Sequence, residues 1–232
     1  VSFYLFLIKR KPTPMPAILE SENSLTQIPS LDEIQEGEVF YLSEEEYLEL
    51  VETHEGRFQY ENGKVTLMPY AQKNHNIVEA NTITQLGIAL EESPLIVSTN
   101  ETLIYVPAFD LYANPDVVVF QEPTEYRERK KGIQALLNPI CLIEILSPST
   151  SHYDRSKKLQ IYQSIPTLQQ YVMISQEEIQ VETLTKNKEG EWVYRFAFEA
   201  DQSISILDHS IPLSKLYAKV QFEKADTPAK TQ

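Results

Sequence analysis

Cysteine is almost missing from these 232 residues. Cys141 stands alone, which excludes a disulfide framework and any multi-cysteine zinc or iron–sulfur site. Glycine is scarce as well, six in all, so a collagen-like or glycine-linker chain is excluded. No run reaches the roughly 18–20 apolar residues of a membrane-spanning helix. The longest candidate, Ser2–Ile8, precedes Lys9-Arg10-Lys11, the reverse of the order in a signal peptide. Nothing marks export, so the expected compartment is the cytoplasm, away from any membrane. Basic residues are outnumbered, 20 Lys and Arg against 34 Asp and Glu, and the formal charge of −14 does not draw polyanions by bulk electrostatics. This argues against a general nucleic-acid coat protein and leaves room for an enzyme with a locally basic cleft.

What is present suits a folded core, with 42% hydrophobic and 23% charged residues. Residues 1–36 read as a flexible lead-in, with Met15 as an alternative start, and 223–232 as a flexible tail. Residues 37–222 read as one domain. Ser43 and Glu46 form a capping box for a helix over 43–53. Asn62-Gly63 between two strand-like runs predicts a two-residue hairpin turn, because both positions require positive φ. Ile77, Ile83, Leu86 and Leu90 predict a helix over 74–91. Strands are expected at 102–106, 116–120, 140–146, 170–175, 180–184, 192–198 and 204–207. Helices are expected at 152–164 and 212–220, with 126–137 partly helical. The class is α/β, a central mixed β-sheet flanked by α-helices.

Two acids are out of place. Glu144 interrupts the apolar run Ile140–Leu146, and by alternation it shares a face with Leu142 and Leu146. Asp116 heads the run Val117–Phe120. A buried unpaired carboxylate is costly, so a basic side chain, backbone donors or a metal ion must compensate each. Asp154, Lys158 and Tyr162 follow at i, i+4 and i+8, on one face of the next helix, from which Lys158 can reach back to both acids. Asp, Glu and Lys converging at a strand end suit phosphodiester hydrolysis: carboxylates for a divalent ion such as Mg²⁺ or Mn²⁺, and a lysine to position the attacking water. The alternative for these residues is an ion-pair network without chemistry.

At these positions the chain resembles the PD-(D/E)XK nuclease superfamily, and within it the Uma-two family of restriction-endonuclease-like proteins, over about 45–220. The landmarks are Tyr60-Glu61-Asn62-Gly63-Lys64, Asn74-His75-Asn76, Pro115-Asp116-Val117, Ile143-Glu144-Ile145-Leu146-Ser147-Pro148-Ser149, and Tyr153-Asp154-Arg155 with Lys158 and Tyr162. The resemblance implies a restriction-endonuclease-like core, Asp116 and Glu144 as metal ligands, and a Mg²⁺-dependent endonuclease acting on DNA. The superfamily's lysine position holds Leu146 here, and Lys158 matches the family's lysine from the following helix. Many members carry Glu where this chain has Gln59, whose carbonyl can accept a contact but brings no charge. Glu61, on the same strand face, is a partial substitute. A homodimer would supply the two sites that cutting a duplex requires. The competing function is a nuclease fold kept as a binding or assembly module.

Other residues favour plainer roles. His75 reads as a surface or capping residue before a phosphate contact, Asp154 as a surface pair with Lys158, and Lys157 as solvated. Cys141 reads as core. The basic run 126–131 divides evenly between a DNA-backbone track and a solvated face. Trp192, Tyr194, Phe196 and Phe198 share a strand face and read as sheet packing rather than a base-stacking platform.

Overall fold

A computed structural model describes residues 37–128 and 132–222. The lead-in, the tail and Arg129–Lys131 of the basic run therefore lie outside the described residues.

Three sheets, five α-helical segments and single stretches of 3₁₀- and π-helix make up the described residues. β1 (Val39–Tyr41), β2 (Phe58–Glu61), β3 (Lys64–Leu67), β5 (Ile104–Val106) and β6 (Leu111–Ala113) form an antiparallel sheet in the order β1-β3-β2-β6-β5. Asn62 and Gly63 join β2 to β3 with φ of 49° and 83°, the left-handed pair that the Asn-Gly turn demands. α1 (Glu44–Thr53) closes this sheet through Tyr47, Leu48 and Leu50, and its capping box forms as expected.

The second sheet runs β11-β10-β9-β8-β7-β4 and holds the central strands. They are β4 (Leu95–Thr99), β7 (Val117–Gln121), β8 (Cys141–Leu146), β9 (Gln170–Ser175), β10 (Val181–Lys186) and β11 (Trp192–Ala197). Only β8 and β9 are parallel; the other neighbours are antiparallel, so the sheet is mixed. Every residue of β8 and β9 is buried, because both faces are covered. α2 (Lys73–Ala89), the hairpin of β12 (Ser203–Ile206) and β13 (His209–Pro212), and α5 (Leu213–Leu216) cover the face carrying Cys141, Ile143 and Ile145. Cys141 is core, as expected.

The opposite face, carrying Leu142 and Leu146, packs on Ile161 and Tyr162 of the crossover helix. That helix starts as α3 (Ser151–Tyr153), passes through a π-helical turn (Asp154–Lys158) and continues as α4 (Leu159–Gln163). Four residues of α-helix overshoot one turn by about 40°. A π turn holds more residues and falls short instead, so the drift cancels and Asp154, Lys158 and Tyr162 stay aligned toward the sheet.

Several expectations need correction. Residues 126–137 are not helical where described: Tyr126 and Ile104 each bridge to Leu136, so the segment is held extended along the β5 edge. β1, β4, β6 and β13 were not foreseen, and the last helix is only Leu213–Leu216. Of the four late aromatics, Trp192 packs against the core as expected, but the other three are not sheet packing. Tyr194, Phe196 and Phe198 are each more than half exposed, and successive rings lie 6.0 and 5.7 Å apart along an edge strand. Arg127 is already engaged within the protein, since its guanidinium bonds Glu44 and lies 4.5 Å from the Tyr105 ring centre. Among the described residues no helix is long and apolar enough to cross a membrane.

Candidate active site

The two misplaced acids meet at one end of the central sheet. Val117 pairs with Ile143, and the same antiparallel register continued by one residue sets Asp116 opposite Glu144. Both line a cavity of about 270 Å³ with Arg57, Gln59, His75, Asp154, Lys158 and Gln176. Asp116, Glu144, Asp154 and Lys158 are each at most 6% exposed, so their charges must be answered within the protein.

Asp116 is answered fully. Its Oδ1 accepts from Arg57 Nη2 at 3.1 Å, and its Oδ2 accepts from the Ile145 N–H at 2.7 Å and lies 3.2 Å from His75 Nε2. Burial pushes the carboxyl up, but the His75 hydrogen bond, the charges of His75 and Arg57 and the Ile145 N–H together hold it below the ordinary aspartate range.

Glu144 is answered in part. Lys158 Nζ lies 2.7 Å from Oε1 and the Tyr162 hydroxyl donates to the same oxygen at 2.9 Å, so both contacts fall on one oxygen and Oε2 takes neither. Lys158 Nζ is shared with Asp154 Oδ1 at 3.3 Å. One lysine thus serves two carboxylates. Burial above all, opposed by Lys158 and reinforced by Asp116 and Asp154, pushes the Glu144 carboxyl up to about 7. Burial lowers Lys158, but Glu144 and Asp154 outweigh it and raise the ammonium above its ordinary value. A further cation beside Glu144 would redress the imbalance.

Three readings of the sequence change here. Asp154 is not a surface residue: it is buried beneath the π turn and paired with Lys158. His75 is neither a surface nor a capping residue. It lies on the buried stripe of α2 with Val78, Thr82 and Leu86, and contacts Asp116. Glu61 does not stand in for the missing carboxylate, because Lys157 Nζ holds it at 2.6 Å, away from the cavity lining. Lys157 is accordingly paired, although its side chain is 53% exposed. Gln59 does line the cavity, and its Nε2 donates to the Tyr153 hydroxyl at 3.0 Å.

Sequence reasoning missed Arg57, Glu79 and Gln176. Glu79 Oε2 lies 3.7 Å from His75 Nδ1, and His75, Glu79 and Asp116 offer ligand atoms within 4.8 Å of one another. The spacing of His75 and Glu79, one helical turn apart, was the available signal. Arg57 and Gln176 gave none, as each is an ordinary polar residue beside a strand.

Known proteins agree with this architecture. The crystal structure of a "putative nuclease belonging to DUF820" from Anabaena variabilis superposes with a TM-score of 0.59 at 22% identity, covering 75% of this chain and 96% of that one. The likeness shows a shared nuclease-like fold. Two uncharacterized Synechocystis sp. proteins, slr1290 and sll1609, are 30% and 26% identical over 152 residues, 66% of this chain and 78% and 85% of theirs. The family model Uma2, described as "Putative restriction endonuclease", matches residues 44–213, from the start of α1 to the start of α5. The chain belongs to the Uma2 (Uma-two) family.

Proposed function

We propose that this protein is a metal-dependent endonuclease that hydrolyses DNA phosphodiester bonds, using Mg²⁺ or Mn²⁺. The observation that carries the reading is the burial of Asp116, Glu144 and Lys158 around one cavity at the end of the central strands. The residues fit a divalent ion. Asp116 and Glu144 both line the cavity, and the Glu144 oxygen that takes neither the Lys158 nor the Tyr162 contact is available as a ligand. Oxygen donors suit Mg²⁺, and the nearby His75 imidazole extends the set toward Mn²⁺.

Asp116 and Glu144 would hold the ion. When bound, it supplies Lewis acidity toward the phosphoryl oxygens and acidifies water. Lys158 has three ammonium donors and places two on carboxylates, which leaves one to orient the attacking water or a phosphoryl oxygen. Tyr162 fixes the Glu144 rotamer, and Arg57 with His75 fixes Asp116. Gln59 borders the ion's surroundings as a neutral group. Cutting both strands of a duplex calls for two copies, and a homodimer is part of the proposal.

The test is nicking or linearisation of supercoiled plasmid in Mg²⁺ or Mn²⁺, with wild type beside a Glu144→Ala variant purified identically. Cleavage by wild type alone supports the reading. Equal cleavage by both places the activity elsewhere, and silence from folded wild type across both metals favours the second reading. That reading, a nuclease fold retained as a binding or assembly module, draws on Gln59. The position at which the family resemblance implies a carboxylate is neutral here and engaged with Tyr153.

A further inference from the structure

Among the described residues, the buried side-chain polar atoms without a hydrogen-bond partner are Arg57 Nε, His75 Nδ1 and both amide atoms of Gln176. All three residues line the same cavity as Asp116, Glu144 and Lys158. Folded proteins satisfy nearly all such atoms, so a set of orphans confined to one cavity points to what the cavity holds.

Gln176 is the most telling. It is 2% exposed and follows β9 directly, at the carboxyl end of the parallel pair β8 and β9. Crevices beyond the carboxyl ends of strands are where open α/β sheets take their ligands. Its backbone is pinned on both sides: its N–H donates to Leu146 O at 3.3 Å, and its carbonyl accepts from Asn74 Nδ2 at 3.4 Å. The main chain is thus fixed while the amide is left unpaired. Turning the amide over changes nothing, since neither atom has a partner.

We infer that Gln176 is a substrate-binding residue of this site, its amide N–H donating to a phosphoryl oxygen of the bound nucleic acid, with Arg57 Nε as a second donor. The inference rests on the nuclease reading and adds to it the wall that grips the substrate. A neutral amide suits this place. It offers a donor to a phosphoryl oxygen without adding a charge beside the carboxylates that would hold the ion. The Arg57 guanidinium already spends Nη2 on Asp116 and Asn114 O, which fixes the plane from which Nε is presented.

The experiment uses the full chain and a fluorescein-labelled 20-base-pair duplex, with binding read by anisotropy in Ca²⁺. Wild type, Gln176→Met and Gln176→Glu are compared, with melting temperature and the Mn²⁺-induced thermal shift recorded for each. Gln176→Met keeps the volume and removes the donor. It should weaken duplex binding about tenfold or more, the usual effect of losing a hydrogen bond to a charged group. Its melting temperature should be unchanged or higher, because no bond within the protein is lost, and its Mn²⁺ shift should match wild type. Gln176→Glu, which places a carboxylate against the phosphate, should bind more weakly still. A purely structural Gln176, or one that only holds an ordered water, predicts unchanged duplex affinity for the folded variant and overturns the inference. If the variants also nick plasmid like wild type, the nuclease reading survives that failure. If wild type shows neither duplex binding nor a Mn²⁺ shift, both fall.

Discussion

Lys158 Nζ lies 2.7 Å from Glu144 Oε1, with both side chains less than a tenth exposed, and the pair joins the crossover helix to the central strand β8. A buried ion pair of this kind contributes little net stability, because desolvation offsets the attraction, yet removing one partner strands the other. Lys158→Met should therefore destabilise the metal-free protein by about 3–5 kcal/mol, read by urea unfolding. Adding Glu144→Gln to it should recover a large part of that loss, since the stranded charge disappears. A double variant as unstable as the sum of the single variants would show that the two residues act independently.

Gln59 and Glu61 share a strand face but not a role. Gln59 lines the cavity, whereas Glu61 is held by Lys157 outside it. Gln59→Glu should tighten Mn²⁺ binding by about tenfold, within the range over which residues around a metal tune its affinity. Glu61→Gln should leave it unchanged and alter stability by less than about 1 kcal/mol, as the pair it breaks is partly exposed. Calorimetric titration of both variants with Mn²⁺ checks the contrast, and equal effects from the two would contradict the geometry.

How much of this was legible in the sequence depended on whether local chemistry or tertiary pairing decided the outcome. The capping box at Ser43 and the Asn62-Gly63 turn carry their own hydrogen-bonding and φ requirements, and both formed where expected. β4 and β6 were hidden because neighbouring strands define them: Leu95–Thr99 is a strand through its pairing with β7, not through alternation. The segment 126–137 misled for the same reason, since its extended form is fixed by bonds to Ala135, Leu136 and β5 rather than by propensity. In the site, Asp116, Glu144 and Lys158 stood out as charges amid apolar runs. Arg57, Glu79 and Gln176 lie where polar residues are unremarkable, and only the folded arrangement brings them to the cavity.

The α1 capping box gives a pH-dependent prediction away from the site. Glu46 accepts from the Ser43 N–H at 2.7 Å and the Ser43 hydroxyl returns the contact to the Glu46 N–H at 3.3 Å. The Ser43 hydroxyl, then the Ser43 N–H, hold the Glu46 carboxyl below its ordinary value of 4.5 against a slight upward pull from burial. A depressed carboxylate stabilises the fold above its unfolded value and loses that contribution as pH falls through the folded one. Ser43→Ala should cost about 0.5–2 kcal/mol at neutral pH. The difference from wild type should shrink below pH 4.5 as Glu46 protonates in both. A gap that stays constant from pH 7 to pH 3 in denaturant titrations would separate Glu46 from the cap.

Metal binding itself has a stability signature that does not depend on turnover. An ion that binds only the folded state stabilises it by about 2.7 kcal/mol at a hundred times its Kd, so Mg²⁺ or Mn²⁺ should raise the melting temperature in a concentration-dependent way. Asp116→Asn should abolish that rise. It also weakens the contacts that Arg57 and His75 make with a charged carboxylate, so the variant should start from a lower melting temperature without added metal. Glu144→Gln should behave differently at the start. It removes the less well compensated acid and leaves Lys158 paired with Asp154 rather than stranded, so its metal-free melting temperature should match or exceed that of wild type while the rise with Mg²⁺ is lost. The two variants thus share a phenotype with metal and diverge without it, and a Glu144→Gln protein that still responds to Mg²⁺ like wild type would remove Glu144 from the ligand set.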